Sequence, residues 1–158
     1  MPWPTTIPAA KQVEFVVAEK LKLRIYAPSI FVTTFDYSFA VSGGSGAITI
    51  SSQFVPAGAK VIGGWYQVST TFTTASADAG TIALSLVGAN DLVTAIAVSD
   101  ASNPWDVDLT GRKPLKLIPT VLVAQKEVVL TVATANVEAG ILFGAVEWML
   151  PTNVSSGH

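Results

Sequence analysis

A chain of 158 residues, half of them hydrophobic and only 13% charged, is long enough for one domain with a real core and is not a disordered chain. The absence of cysteine excludes disulfides, thiol chemistry and a Cys-ligated metal, and a net charge of −2 argues against nucleic acid as the main partner. No uncharged apolar run reaches the roughly 18 residues a membrane-crossing helix needs. The best stretch, residues 139–150, is short and broken by Glu147. Alternation alone would permit a membrane β-barrel, but the paired aromatic girdles of one are not evident.

Charged residues are about half as frequent as in ordinary domains. Much of the surface is therefore either Ser/Thr-rich or covered by other copies or partners. Residues 1–12 hold three prolines and Trp3 and read as an extended N-terminal arm, with no signal-peptide pattern of a basic region followed by an apolar one. A Trp between prolines is costly to leave in water, so Trp3 and Pro4 are candidate contacts to a neighbouring subunit, against the plainer reading of a frayed terminus. In residues 13–26, Leu21, Leu23 and Ile25 alternate with Lys20, Lys22 and Arg24. That is a half-buried strand with a basic outer face, which more often protects an edge than binds an anion.

Residues 31–41 read as an aromatic strand with Phe31, Phe35 and Phe39 on one face. Residues 42–46, SGGSG, lack the lysine and helix of a phosphate loop and read as a hairpin connection into a short strand over 47–52. The stretch 54–87 dominates the chain. The Pro56-Ala57-Gly58-Ala59 turn leads into a long strand with Ile62, Tyr66, Val68 and Phe72 on one face and a bulge at Gly63-Gly64. A small polar loop follows at 74–78, then a strand with Ile82, Leu84 and Leu86 facing one way. So short a connection predicts that the two strands are antiparallel neighbours.

Residues 88–91 read as a turn, 92–99 as a strand, 100–111 as the most polar loop, 115–123 as an edge strand, and 128–134 and 140–150 as two closing strands. The sum is an all-β chain, a β-sandwich or jelly roll of about eight to ten short antiparallel strands over residues 13–151. Residues 152–158 read as a flexible tail, a linker and tag remnant, which removes functional weight from His158, the only histidine.

Asp100, Asn103, Asp106 and Asp108 sit in one loop and could offer oxygen ligands to Ca²⁺, but the spacing is not that of an EF-hand and turn capping is the commoner role. The pair Asp106 and Asp108 could also serve a hydrolase, as could Asp36 and Glu147, either of which could instead pair with Arg24 or Arg112. With the one His in the tail, a Ser-His-Asp site is excluded, and neither an enzyme nor a cofactor is expected. Trp65, Trp105 and Trp148 with Tyr26, Tyr37 and Tyr66 could form a sugar-stacking platform, although burial is the usual fate of large aromatics.

Pro56, Ala57, Gly58, Ala59 and Val61, then Thr81, Leu84, Val87 and Gly88, resemble a turn-and-strand block found in structural proteins of tailed-phage virions, especially small head-decoration (cement) proteins. The likeness covers residues 54–99 and extends loosely to Trp148. It implies a β-sandwich module on a capsid surface, commonly a homotrimer, with the major capsid protein as partner and no catalytic residues. Trp3, Pro4 and Trp105 are then the candidate interaction residues. The alternative is a carbohydrate- or receptor-binding module of a tail or fibre, which predicts an exposed Trp105.

Overall fold

The computed structural model describes residues 29–107, 111–116, 118 and 120–151. The arm with Trp3 and Pro4, the predicted strand within 13–26, Asp108 and the tail lie outside them.

Among the described residues eight strands form two antiparallel sheets. The first holds β1 (Ile30–Ser38), β3 (Lys60–Thr74), β6 (Lys113–Pro114) and β8 (Val137–Met149), in the order β1-β8-β3-β6. The second holds β2 (Gly46–Thr49), β4 (Thr81–Ser85), β5 (Val93–Ala97) and β7 (Val129–Ala133), in the order β2-β7-β4-β5. Among the described strands only β4 and β5 are neighbours both in sequence and in a sheet; the other connections step from one sheet to the other.

Alternation sets the core. Phe35 and Tyr37 of β1, Tyr66, Val68 and Phe72 of β3, and Leu142 and Val146 of β8 point inward against Ile82 and Leu84 of β4 and Leu130 and Val132 of β7. All are buried, and each such side chain contributes about 1.5–3 kcal/mol of apolar burial. Two glycines of β8 make room for rings. A Cβ on Gly144 would sit on the Phe35 ring and the Trp65 carbonyl, and a Cβ on Gly140 would press into Phe72.

The expected long strand is β3, and the expected bulge is a register shift between Val61 and Gly63 against β8. It buries Val61 and leaves Ile62 partly exposed, reversing the predicted phase at that end. The expectation that β3 and β4 pair is wrong: β4 lies between β7 and β5 in the facing sheet. A short connection rules out a parallel crossover but not a step of about 10 Å to the opposite layer.

Ser76, Ala77 and Asp78 make that step, three successive residues with φ near +60°. The turn is held because Thr74 N–H donates to Asp78 Oδ1 (2.6 Å) and Gly80 N–H donates to Thr74 Oγ1 (2.9 Å). Left-handed backbone costs an L-residue roughly 1–2 kcal/mol. Ala77 is exposed and has no side-chain bond, so Ala77→Gly is expected to raise stability by about 0.5–1 kcal/mol in urea denaturation, the relief exceeding the entropy of an added glycine.

Three other expectations change. Residues 42–46 do not join a hairpin, because β1 and β2 belong to different sheets. β1 ends at Ser38, and Phe39–Ser42 is a single helical turn, α1, closed by Gly43 N–H on the Phe39 carbonyl (3.1 Å). The edge strand expected at 115–123 is reduced to Lys113–Pro114 and an isolated bridge from Val121 to Lys60, since proline cannot continue a ladder.

Candidate interaction surface

The polar loop at 100–107 holds the densest group of candidate oxygen ligands. Asp100 Oδ1 accepts the amide (2.8 Å) and hydroxyl (2.7 Å) of Ser102. Asn103 Nδ2 donates to the Asp100 carbonyl (3.0 Å) and to Asp106 Oδ2 (3.2 Å), while Asn103 Oδ1 accepts from Trp105 N–H (2.9 Å). These side chains are occupied with their own loop, the turn-capping role. The Ser102 hydroxyl, then its amide, hold the Asp100 carboxyl below its usual pKa. Among the described residues no group of three or more His, Cys, Asp or Glu is placed to hold a metal ion.

Trp105, expected as an interaction residue, is fully buried. Its carbonyl accepts from Phe72 N–H (3.0 Å), which draws the loop along β3 and drives the indole between the sheets, with ring centroids 5.9 Å from both Tyr66 and Phe72. Its Nε1–H finds no acceptor among the described residues. The indole is therefore not the exposed ring that the ligand-binding alternative predicts.

Nor do the other aromatics make one platform. Tyr37 and Tyr66 are core residues, and the Tyr37 hydroxyl donates to the Gly43 carbonyl (2.6 Å). Burial pushes both phenols up to about 12, because the charged phenolate is poorly solvated there. The unfolded phenols ionise near 10, so this contribution to stability is complete below pH 10 and is lost as pH rises through about 12. A spectrophotometric titration should therefore show these two tyrosines ionising together with alkaline unfolding, and not near pH 10.

Trp148 stacks on Phe31 (centroids 4.7 Å) and donates from Nε1 to Thr33 Oγ1 (3.0 Å). Trp65 faces outward on the first sheet, edge-on to Phe143 (5.9 Å), and the exposed Arg112 guanidinium lies 3.7 Å over its ring. Arg112 is thus a partner of an aromatic ring. Sequence reasoning missed this group because it joins positions 31 to 78 residues apart through the β3–β8 and β3–β6 registers.

The carboxylates do not converge. Asp36 is exposed on the outer face of β1, Glu147 is half-buried on β8, and Asp106 is in the loop. An open depression of about 210 Å³ beside Phe39, Thr70 and Ile141 contains one acid, Glu138. Two outer faces remain as candidate contact surfaces. All charged strand residues belong to the first sheet; no residue of β2, β4, β5 or β7 is charged, and the outward positions of that second sheet, such as Ala47, Thr49, Thr81, Ser85 and Thr131, are small. Among the described residues no helix is long and apolar enough to cross a membrane.

No protein-family model matches the chain, and no curated protein matches it by sequence. Its fold is similar to that of a chain in the capsid asymmetric unit of cyanophage Pam1, with a TM-score of 0.57 at 20% identity, covering 80% of this chain and 88% of that one. It is also similar to a chain in the acid-stable capsid structure of Helicobacter pylori bacteriophage KHP30, with a TM-score of 0.55 at 15% identity, covering 80% and 92%.

Proposed function

We propose that this protein is a non-enzymatic structural component of a phage virion that binds and stabilises the capsid surface, a decoration or cement protein with the major capsid protein as its partner. The observation that carries this reading is the fold likeness to chains from two phage capsid structures, which extends over nearly the whole of both matched chains. Those chains are therefore small, close to this one in size, as accessory components are. The strand order, with β1-β8-β3-β6 facing β2-β7-β4-β5, supports reading the sandwich as an eight-stranded jelly roll.

The surface suits such a role. A second sheet whose strands carry no charged residue loses little solvation when covered. Many weak contacts repeated over a shell add up by avidity. In this reading the protein assembles as a homotrimer, and the arm with Trp3 and Pro4 reaches a neighbour.

One observation favours the alternative, a carbohydrate- or receptor-binding module: the outward Trp65, flanked by Arg112 and Phe143, is an aromatic surface of the kind sugars stack on.

Co-pelleting of the purified protein with shells of its own virus that lack it decides between the two. Decoration predicts saturable binding at a fixed ratio of copies to shell subunits, weakened by removal of residues 1–12, and light scattering should give three chains per particle in solution. The decoration reading fails if no shell binding is seen while a Trp65→Ala-sensitive glycan interaction is.

A further inference from the structure

The exposed large apolar side chains are gathered unevenly. Ile30, Phe31, Val32, Phe54, Val121 and Leu150 belong to the end of the sandwich where β1 begins and β8 stops. The register places Ile30, Met149, Lys60 and Val121 in one row across that end. Phe54 lies two residues beyond Ser52, whose amide donates to the Thr34 carbonyl.

Within β1 the first three residues are exposed on both faces, and the in–out alternation begins only at Thr33. Isolated exposed apolar residues need no explanation, but a continuous patch on a strand edge does.

The backbone of this edge is also open. Thr34 O accepts from Ser52 N–H and Asp36 N–H donates to Ile50 O (both 3.1 Å), so the even-numbered residues of β1 direct their polar backbone groups away from β8. Ile30 and Val32 do the same. Among the described residues nothing bonds to them on that side.

What ends at this edge is the chain's own N-terminal stretch. Residues 27–29 separate Tyr26 from Ile30, a connection within the range of hairpin loops. An antiparallel return through that loop sets Ile25 opposite Phe31 and Arg24 opposite Val32. In that pairing Leu23 and Ile25 would share the inward side with Phe31. Arg24 would share the outward side with Val32, next to Glu147, which is the β8 partner of Val32. Its aliphatic stem can cover Val32 while the guanidinium meets the acid.

Charge agrees with this placement. Residues 1–28 hold four basic and two acidic residues, a net of +2, while the rest of the chain holds five basic and nine acidic, a net of −4. Pairing would end at Leu23, where residues 50–52 already occupy the edge.

We propose that residues 23–26 of this chain pair in cis with the open edge at Ile30 and Val32, closing the apolar end of the sandwich. The tether of three residues favours the chain's own segment over that of another copy through effective concentration. The inference does not rest on the virion reading.

The test uses the full-length chain, which has no native cysteine. Odd positions of β1 form the non-hydrogen-bonded pairs across this edge, where Cα atoms lie about 4.5 Å apart, close enough for a disulfide. The double variant Ile25→Cys/Phe31→Cys should oxidise mildly to an intrachain disulfide that runs as a monomer on a non-reducing gel. The control pair Ile25→Cys/Val123→Cys should not.

A disulfide-linked dimer would overturn the cis assignment in favour of exchange between copies. Reaction no faster than the control would overturn docking at this edge. Hydrogen exchange on the unmodified chain reads the same point without cysteines: the Val32 amide should be at least about tenfold slower than in a chain lacking residues 1–26, and equal rates would reject the proposal.

Discussion

Trp105→Ala is expected to cost about 3–5 kcal/mol, a large share of the roughly 5–15 kcal/mol that holds a typical domain folded. The indole is fully buried between the sheets, in ring contact with Tyr66 and Phe72, and the Phe72 amide is bonded to its carbonyl. Truncation would leave a large cavity between the sheets, while the backbone bond from Phe72 that draws the 100–107 loop along β3 remains available.

Trp105→Phe should cost much less. Phenylalanine keeps most of the ring contact and deletes an Nε1–H that finds no acceptor among the described residues, and an unsatisfied buried donor costs about 1–3 kcal/mol. Urea denaturation of the three proteins gives both differences. An alanine variant within about 0.5 kcal/mol of the parent would mean that Trp105 is a surface residue, and the contact role expected from the sequence would return.

Gly144→Ala is the second large effect, about 3 kcal/mol, the upper part of the range for overpacking. It corresponds to a fall in Tm of roughly 6–12 °C. Gly144 is flanked by Phe35 of β1 and Tyr66 of β3 in the centre of the first sheet. Its added methyl group would meet the Phe35 ring and the Trp65 carbonyl. The ring can turn aside; the carbonyl belongs to the β3 ladder and cannot. Phe35→Leu should therefore recover only part of the loss in the double variant. An unchanged Tm for Gly144→Ala would contradict the register of β8 against both neighbours.

The strands were largely legible in the sequence because period-two alternation reports which face is buried. The same alternation is blind to which sheet a strand joins. In a sandwich both layers bury one face, so Ile82 and Leu84 carry the same signal whether they lie beside Tyr66 or across from it. That is why β3 and β4 read as neighbours. The left-handed trio at Ser76, Ala77 and Asp78 that separates them has no glycine to announce it.

Trp105 misled for a related reason. Its local sequence, DASNPWDVD, is polar, and its burial depends on a bond to Phe72, 33 positions earlier. The spacing glycines were readable in principle. Gly140 and Gly144 interrupt an apolar strand pattern, which signals a close approach, but nothing local names Phe72 and Phe35 as the rings that approach. The candidate contact surfaces were the least legible, since the Trp65–Arg112–Phe143 group and the uncharged sheet exist only once the strands are paired.

The position of β8 has a consequence for how the chain is made. β8 follows the other described strands in the sequence and is an inner strand of the first sheet, bonded to β1 on one side and β3 on the other. Until it arrives, β1 and β3 lack the strand that joins them, and nearly every connection still spans two layers. Completion of the first sheet must therefore wait for β8, and contacts of such long sequence separation make it slow. Nascent chains and chains truncated before Val137 would display two long unpaired edges rich in aromatics, the species most exposed to mispairing and aggregation during synthesis.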